Sequence, residues 1–206
     1  MCREHTPFYH AGAYDDPRAK LIIGDAKAGL EGCPDASIDV IILDLSDPLD
    51  GGPCYQLYTT SFYTMCNQKL APGGILVTQS GCAAVRDCHL VFTPLHNTLR
   101  QVFPHVYPYT VCVPSFCSEW GFNVVHKDEG AASICDGLVA DGALDARLAS
   151  RGLGELSYYD SITHTRMFSL NRPVREKCRD ETRIMTVENP LFMCDTETHQ
   201  GVFQGK

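Results

Sequence analysis

The sequence has few of the features that mark membrane proteins or nucleic-acid-binding proteins. No apolar run approaches the roughly 20 residues that a membrane-spanning helix requires. The 17 Lys and Arg residues form no basic run and are outnumbered by 25 Asp and Glu, which gives a net charge of −8. Because nucleic acids are bound through clustered cations, we expect neither a nucleic acid nor a membrane as a partner, and an acidic chain suits a cationic ligand better.

The spacings of common metal sites and disulfide frameworks are also missing. The 11 cysteines include no C-x-x-C pair, and the eight histidines include no H-x-x-x-H or H-E-x-x-H arrangement. We therefore expect no bound metal. Scattered cysteines in odd number, without a signal peptide, favour free thiols in a reducing compartment, so the predicted location is the cytoplasm.

What is present in the first half is an alternation of short apolar runs and helical patterns. Apolar spacing predicts helices at residues 62–70 and 91–103. Strands are predicted at residues 21–23, 39–43, 75–78, 106–113 and 122–125. The first three read as buried parallel strands, and strands that alternate with helices predict an α/β fold with a doubly wound sheet.

Composition divides the chain into three parts. Residues 1–128 carry the α/β pattern and form the predicted catalytic domain. Residues 129–154, rich in Gly, Ala and Asp, are predicted to be a surface excursion or lid, and residues 155–206 a separate C-terminal tail. Within the tail we expect strand-like structure at 158–168 and a helix in the charged run 172–183.

The richest candidate site is the segment that follows the apolar run 39–43. Asp44 and Asp47 lie three residues apart where a predicted strand gives way to a loop rich in Gly and Pro, with Asp50 close behind. Ligands of open α/β sheets bind at that edge, and paired carboxylates there can hold an ammonium group or accept a proton. The alternative is structural, with Asp47 starting a turn before Pro48 and Asp44 capping the next segment.

Other polar residues follow neighbouring predicted strands. Asp25, with Ala26 beside it, ends the first run, where its carboxylate can accept hydrogen bonds from an adenine amine or can cap a helix. Gln79 ends the third run and offers a neutral amide at the same rim. Trp120 begins a predicted strand and either lines the outer wall of this groove or, as single large aromatics more often do, packs in the core.

Several strings of the sequence, in order, resemble the polyamine aminopropyltransferases, the spermidine/spermine synthase family. The string DLSDPLDGGPCYQLYTTSFY at 44–63 resembles the family signature, and its GGPCYQLYT portion is most similar to the thermospermine synthases of that family. The agreement extends over nearly the whole chain through LIIGDAKAGLE, LAPGGILVTQSG, NTLRQVFPHVYPYTVCVPSF, EWGF and YYDSITHTRMFSL. The resemblance implies a Rossmann-like sheet of the methyltransferase type.

The resemblance also implies roles for individual residues. Asp44 matches the catalytic proton acceptor, and Asp47 matches the second acid that holds the amine substrate. Phe116 stands where many spermidine synthases have tyrosine, which favours a substrate other than putrescine. The remaining matches are two polar positions near the amine groove, Tyr58 and Gln79, and three positions that contact the nucleoside, Asp25, Ala26 and Pro53.

The activity implied is aminopropyl transfer from decarboxylated S-adenosylmethionine to a polyamine, most simply spermidine to thermospermine, with release of methylthioadenosine. Decarboxylated S-adenosylmethionine is a co-substrate, so no prosthetic group and no metal are implied. A methyltransferase dependent on S-adenosylmethionine shares the sheet, but the acid pair and the loop GGPCYQLYT argue against it.

The sequence departs from the family at its start. The family's small β domain, glycine-rich turn and ribose-binding acid have no counterpart here, so we expect a chain without the first strands of the sheet, produced by truncation or an incomplete gene model. The alternative is an inactive fragment or paralogue that acts as a partner of a full-length polyamine synthase. The family tends to dimerise, so a homodimer or association with a full-length homologue is the protein partnership to expect.

Overall fold

The computed structural model describes residues 1–50, 52–128, 142–154 and 156–193. The chain divides into two compact units, Met1–Gly32 and Cys33–Lys206. The boundaries predicted from composition, near residues 128 and 154, remain predictions. The part of the predicted lid at 129–141 and the end of the tail at 194–206 lie outside the described residues.

The first unit contains short helices. They are α1 (Cys2–His5), α2 (Pro7–His10) and α3 (Ala26–Glu31), with a 3-10 turn at Ala13–Asp15. Asp25 is the N-cap of α3, and its Oδ1 accepts hydrogen bonds from the backbone N–H of Lys27 at 2.9 Å and of Ala28 at 3.3 Å. The capping role considered for Asp25 is therefore present in the structure.

The strand predicted at residues 21–23 is wrong. Leu21, Ile22 and Ile23 have no strand assignment and are 60%, 73% and 91% exposed. An extended apolar run becomes a strand only when a neighbour supplies backbone hydrogen bonds, and none of the described strands pairs with this one.

The second unit is built on a sheet of four strands in the order β1-β2-β4-β3. The strands are β1 (Ile38–Leu43), β2 (Leu70–Cys82), β3 (His105–Val113) and β4 (Ser118–His126). Strands β1 and β2 are parallel, whereas β4 runs antiparallel to both β2 and β3. The strands predicted at 39–43, 75–78, 106–113 and 122–125 are confirmed, and they form a mixed sheet.

The parallel pair is connected through α4 (Thr60–Lys69), and α5 (Phe92–Arg100) packs on β2, β3 and β4. Both helices match the predicted apolar spacing. The fully buried side chains of Tyr63, Leu76, Leu95 and Leu99 belong to the core between sheet and helices. The segment Pro72-Gly73-Gly74 lies inside β2, at a bulge where the register with β1 shifts and Gly73 adopts a φ of +75°.

Strand β1 is covered on one face only. Ile41 and Leu43 are buried, whereas Val40 and Ile42 are 49% and 73% exposed. Successive side chains of a strand point to opposite faces of the sheet. The face with Ile41 and Leu43 is therefore covered, and the face with Val40 and Ile42 is open. The prediction that this segment is a buried strand therefore holds for one face of β1 only.

The C-terminal part of the unit is helical. Helix α6 (Ala143–Ser150) is followed by α7 (Ser161–Phe168) and α8 (Arg172–Asp180). The strand-like structure predicted at 158–168 is wrong because Asp160 accepts a hydrogen bond from the N–H of Thr163 at 2.7 Å and starts α7. The helix predicted in the charged run is confirmed, with its proline in the first turn.

The segment after α8 is tied to α5. The carboxylate of Glu181 accepts hydrogen bonds from Thr93 Oγ1 at 2.7 Å and from the Arg183 guanidinium. Burial alone raises the pKa of Glu181, but these bonds outweigh it and lower the pKa to about 2. The backbone N–H of Met185 also donates to Thr98 Oγ1 at 2.9 Å. These contacts fix α8 beside α5.

Candidate active site

A small cleft lies where β1 and β2 end. Its volume is about 200 Å³. We call it the acidic cleft, and its lining residues are Asp44, Leu45, Ser46, Asp47, Gln79, Phe116, Trp120 and Phe122. The fold thus brings together five of the residues singled out in the sequence, which are Asp44, Asp47, Gln79, Phe116 and Trp120. The first three lie at the carboxyl ends of two parallel strands, where α/β sheets bind ligands.

The two carboxylates of the acidic cleft have different surroundings. Asp44 directly follows β1, is exposed, and accepts no hydrogen bond from the residues that the structure describes. Asp47 is half-buried and accepts a hydrogen bond from Gln79 Nε2 at 3.1 Å. Burial raises the pKa of Asp47 above its ordinary value, and the bond from Gln79 opposes that rise. One carboxylate is therefore unpaired within the described residues, and the other is held in place by Gln79.

The side-chain amide of Gln79 connects several groups of the site through hydrogen bonds. Its Nε2 lies 2.9 Å from Leu45 O, 3.1 Å from Asp47 Oδ1 and 2.8 Å from Tyr58 Oη, so two N–H groups serve three acceptors. Its Oε1 accepts from the N–H of Gly81 at 3.0 Å and from Trp120 Nε1 at 3.0 Å. The amide is saturated by protein groups, and it connects the loop after β1 to strands β2 and β4.

Tyr58 lies beneath the acidic cleft. Its side chain is fully buried at the end of the 3-10 turn Pro53–Tyr58, and its hydroxyl donates to Ser46 O at 3.0 Å. Burial raises the pKa of Tyr58, and the negative charge of Asp47 raises it further. The phenol therefore stays protonated and holds the loop that carries both acids.

Aromatic side chains form the wall opposite the acids. The rings of Phe116 and Trp120 have centroids 4.5 Å apart, and Phe122 continues the wall along β4. Sequence reasoning favoured the core for Trp120, but the structure places it in the cleft. The two-residue spacing of Trp120 and Phe122 in the sequence indicates that both side chains lie on the same face of a strand. Only the pairing of Phe122 with Gln79 shows that this face is the one that lines the cleft.

The remaining predicted residues lie elsewhere. Pro53 is exposed and opens the 3-10 turn that leads to Tyr58. Asp25 and Ala26 belong to the first unit, and their nucleoside-binding roles remain predictions. Within the described ranges, no group of three or more His, Cys, Asp or Glu side chains is arranged to hold a metal ion. The helices of those ranges include none long and apolar enough to cross a membrane.

An α/β sheet with an acidic cleft at its strand ends, walled by aromatic rings, defines a domain suited to cationic organic ligands. Comparison with known proteins gives the family. Residues 1–134 match the model of the spermine/spermidine synthase domain. The chain belongs to the spermine/spermidine synthase family.

The curated relatives carry aminopropyltransferase names. The chain is 37% identical over 185 residues to the thermospermine synthase ACAULIS5 of Arabidopsis thaliana, covering 89% of this chain and 52% of that protein. It is 35% identical over 195 residues to a polyamine aminopropyltransferase of Aeropyrum pernix, covering 94% of this chain and 60% of the relative. The chain thus spans about half to three-fifths of the length of these relatives.

Solved structures support the fold. A spermidine synthase in complex with the transition-state analogue AdoDATO superposes with a TM-score of 0.70 at 24% identity, over 86% of this chain and 56% of that one. The spermidine synthase of Thermotoga maritima gives a TM-score of 0.68 at 23% identity, over 86% of this chain and 55% of that one. The fold is therefore that of the methyltransferase-like domain of spermidine synthases.

Proposed function

We propose that this chain transfers an aminopropyl group from decarboxylated S-adenosylmethionine to a polyamine, with thermospermine formed from spermidine as the specific reaction. The observation that carries the proposal is the unequal pair of carboxylates in the acidic cleft, one exposed and unbonded within the described chain and one held by Gln79. The specific product is favoured by the 37% identity to a thermospermine synthase.

The chemistry requires a neutral amine nitrogen. A polyamine is protonated in water, so the attacking nitrogen first loses a proton, and we assign Asp44 as the group that accepts it. The nitrogen lone pair then forms a bond to the aminopropyl carbon next to the sulfonium. The carbon–sulfur bond breaks, and its electron pair leaves with sulfur as neutral methylthioadenosine.

The remaining residues of the acidic cleft position the substrate. Asp47, ionised, holds an ammonium group of the polyamine, while the rings of Phe116 and Trp120 face its methylene segments and their adjacent charges. Because positioning two reactants removes much of the entropic barrier, these contacts contribute to the rate as well as to affinity. Asp25, Ala26 and Pro53 are assigned by resemblance to the nucleoside of the co-substrate.

The proposal is tested with the purified chain. It is incubated with decarboxylated S-adenosylmethionine and either spermidine or putrescine, and polyamines and methylthioadenosine are quantified by chromatography. We expect thermospermine and methylthioadenosine in equal amounts, with spermidine the better acceptor. A parallel incubation with S-adenosylmethionine as the donor serves as the control. A methylated product in that incubation would instead indicate a methyltransferase. A folded chain that forms no product with either amine would contradict the claim that it is an enzyme by itself.

Gln79→Met tests whether the Gln79 amide acts by keeping Asp47 in position and ionised. The variant removes every hydrogen bond of the Gln79 amide at nearly constant volume, so Asp47 loses the donor that opposes the burial-driven rise of its pKa. We expect the KM for the amine to rise about tenfold, the effect of one hydrogen bond to a charged group, with kcat changed less because Asp44 is untouched.

The pH dependence gives a sharper readout for Gln79→Met. Amine binding needs Asp47 ionised, so binding weakens as the pH falls through the pKa of Asp47. In the variant that pKa is higher, so the rise in KM should begin at a higher pH than in the wild type. Gln101→Met, on the exposed residue after α5, is the matched control. Equal acid limbs in all three proteins would show that Gln79 does not act through Asp47.

A further inference from the structure

A second cavity lies between α5, β3, the end of α7 and α8. Its volume is about 340 Å³, and it shares no lining residue with the acidic cleft. Three arginines line it: Arg100 from α5, and Arg175 and Arg179 from α8. We call it the arginine cavity.

The charges of the arginine cavity are poorly neutralised. The Arg100 guanidinium makes no hydrogen bond or ion pair with any residue of the described ranges. The Arg175 guanidinium donates to the carbonyl of Leu170 and has no carboxylate partner among those residues. Only Arg179 is paired, with Asp180 at 2.7 Å. Because two of the three guanidinium groups have no carboxylate partner among the described residues, the cavity is locally positive on a chain whose net charge is −8.

Two further acids act electrostatically on residues of the cavity, and both are paired with other arginines. Glu181 is paired with Arg183 at 2.6 Å. Glu176, on α8, is paired with Arg172 at 2.8 Å.

His96, which also lines the cavity, adds no positive charge at neutral pH, because its pKa is lowered, mainly by burial and further by the charge of Arg100. Its Nδ1 is engaged with Asn123 Oδ1 at 2.9 Å. The unneutralised charge of the cavity therefore comes from the guanidinium groups of Arg100 and Arg175.

The rest of the arginine cavity is apolar. The aromatic rings of Tyr107 and Phe168 and the side chain of Leu170 line it. Phe168 is itself packed on Tyr109, with ring centroids 5.1 Å apart, which fixes its position. The cavity volume falls within the range of about 300–1,000 Å³ that is usual for sites of small organic ligands.

We propose that the arginine cavity binds a small organic anion, a phosphate monoester or carboxylate attached to an aromatic or aliphatic body. The planar guanidinium groups match the oxygen geometry of both anions, and the rings beside them accept the apolar body. Such a ligand neutralises the two arginines that have no carboxylate partner. This site is independent of the acidic cleft, whose charge is of the opposite sign.

Calorimetric titration of the full chain with phenyl phosphate tests the proposal, in the absence of any polyamine or co-substrate. Benzyl alcohol supplies a neutral ligand of similar size, and phenylacetate distinguishes carboxylate from phosphate recognition. We expect both anions to bind at least about tenfold more tightly than benzyl alcohol, and Arg100→Gln to weaken their binding by about tenfold or more. Arg86→Gln, on a side chain that is 80% exposed and outside the cavity, is the matched control and should leave binding unchanged.

The test has a clear negative result. Equal affinity for phenyl phosphate in the wild type and Arg100→Gln, or affinity for benzyl alcohol equal to that for the anions, would overturn the proposal. Because Arg100 is exposed and has no partner in the described chain, its variant should keep the wild-type circular dichroism and thermal midpoint. Since only binding is measured, the outcome does not depend on whether the chain catalyses aminopropyl transfer.

Discussion

Asp44→Asn should lower the rate of aminopropyl transfer by about 10²–10⁴-fold, the usual loss when a general base is removed. The amide keeps the shape of the side chain but cannot take the proton of the attacking ammonium group. Asp44 is exposed and unbonded within the described residues, so the thermal unfolding midpoint should stay at the wild-type value. Chromatographic rates of methylthioadenosine release under saturating amine and co-substrate measure the effect.

Two variants complete this prediction. Asp39→Asn removes an exposed carboxylate from β1, the same strand that leads to Asp44, and should leave the rate unchanged. Asp47→Asn should mainly raise the KM for the amine, since that carboxylate holds an ammonium group and does not take the proton. If Asp44→Asn retains wild-type kcat while Asp47→Asn loses it, the two roles are reversed and the assignment of the base is wrong.

The position of the acidic cleft was predictable because it depends on local pattern. Asp44 and Gln79 each end an apolar run, and the carboxyl ends of parallel strands meet at one edge. The saturation of the Gln79 amide was not predictable. It depends on Trp120 reaching across from β4, and the register of two antiparallel strands separated by more than 40 positions is set by tertiary packing.

The failed secondary-structure predictions have the same origin. Residues 21–23 are apolar, and Ile22 and Ile23 are β-branched, but a strand needs a neighbour, which local pattern does not reveal. Residues 158–168 contain aromatic and β-branched residues, yet the Asp160 cap and the packing of α7 against β3 decide for a helix. The exposed Val40 and Ile42 make the same point for burial, since apolar character alone does not say what lies against a strand.

Gly121→Ala should destabilise the protein by about 3 kcal/mol, at the upper end of what overpacking a core usually costs. Gly121 lies on β4 between Trp120 and Phe122, opposite Thr110 of β3. A Cβ at this position would lie 2.3 Å from Cδ2 and 2.5 Å from Cε2 of Phe92, a ring that is fully buried in α5. Neither the central strand nor the buried ring can move without disturbing the packing around it. Denaturant unfolding followed by fluorescence measures the change.

Two further variants distinguish a steric clash with the Phe92 ring from a change in backbone freedom as the cause of the lost stability. Gly154→Ala is the control, because its Cβ would contact nothing within 4 Å, and it should be nearly neutral. In the double variant Gly121→Ala with Phe92→Leu, the smaller side chain makes room for the methyl group. The loss of stability in the double variant should therefore be smaller than the sum of the losses in the two single variants. Full additivity would show that the Phe92 ring does not press on β4. Trp120 and Phe122, the neighbours of Gly121 on β4, line the acidic cleft. The steric fit of α5 to β4 therefore also determines the position of the aromatic wall that the proposed substrate contacts.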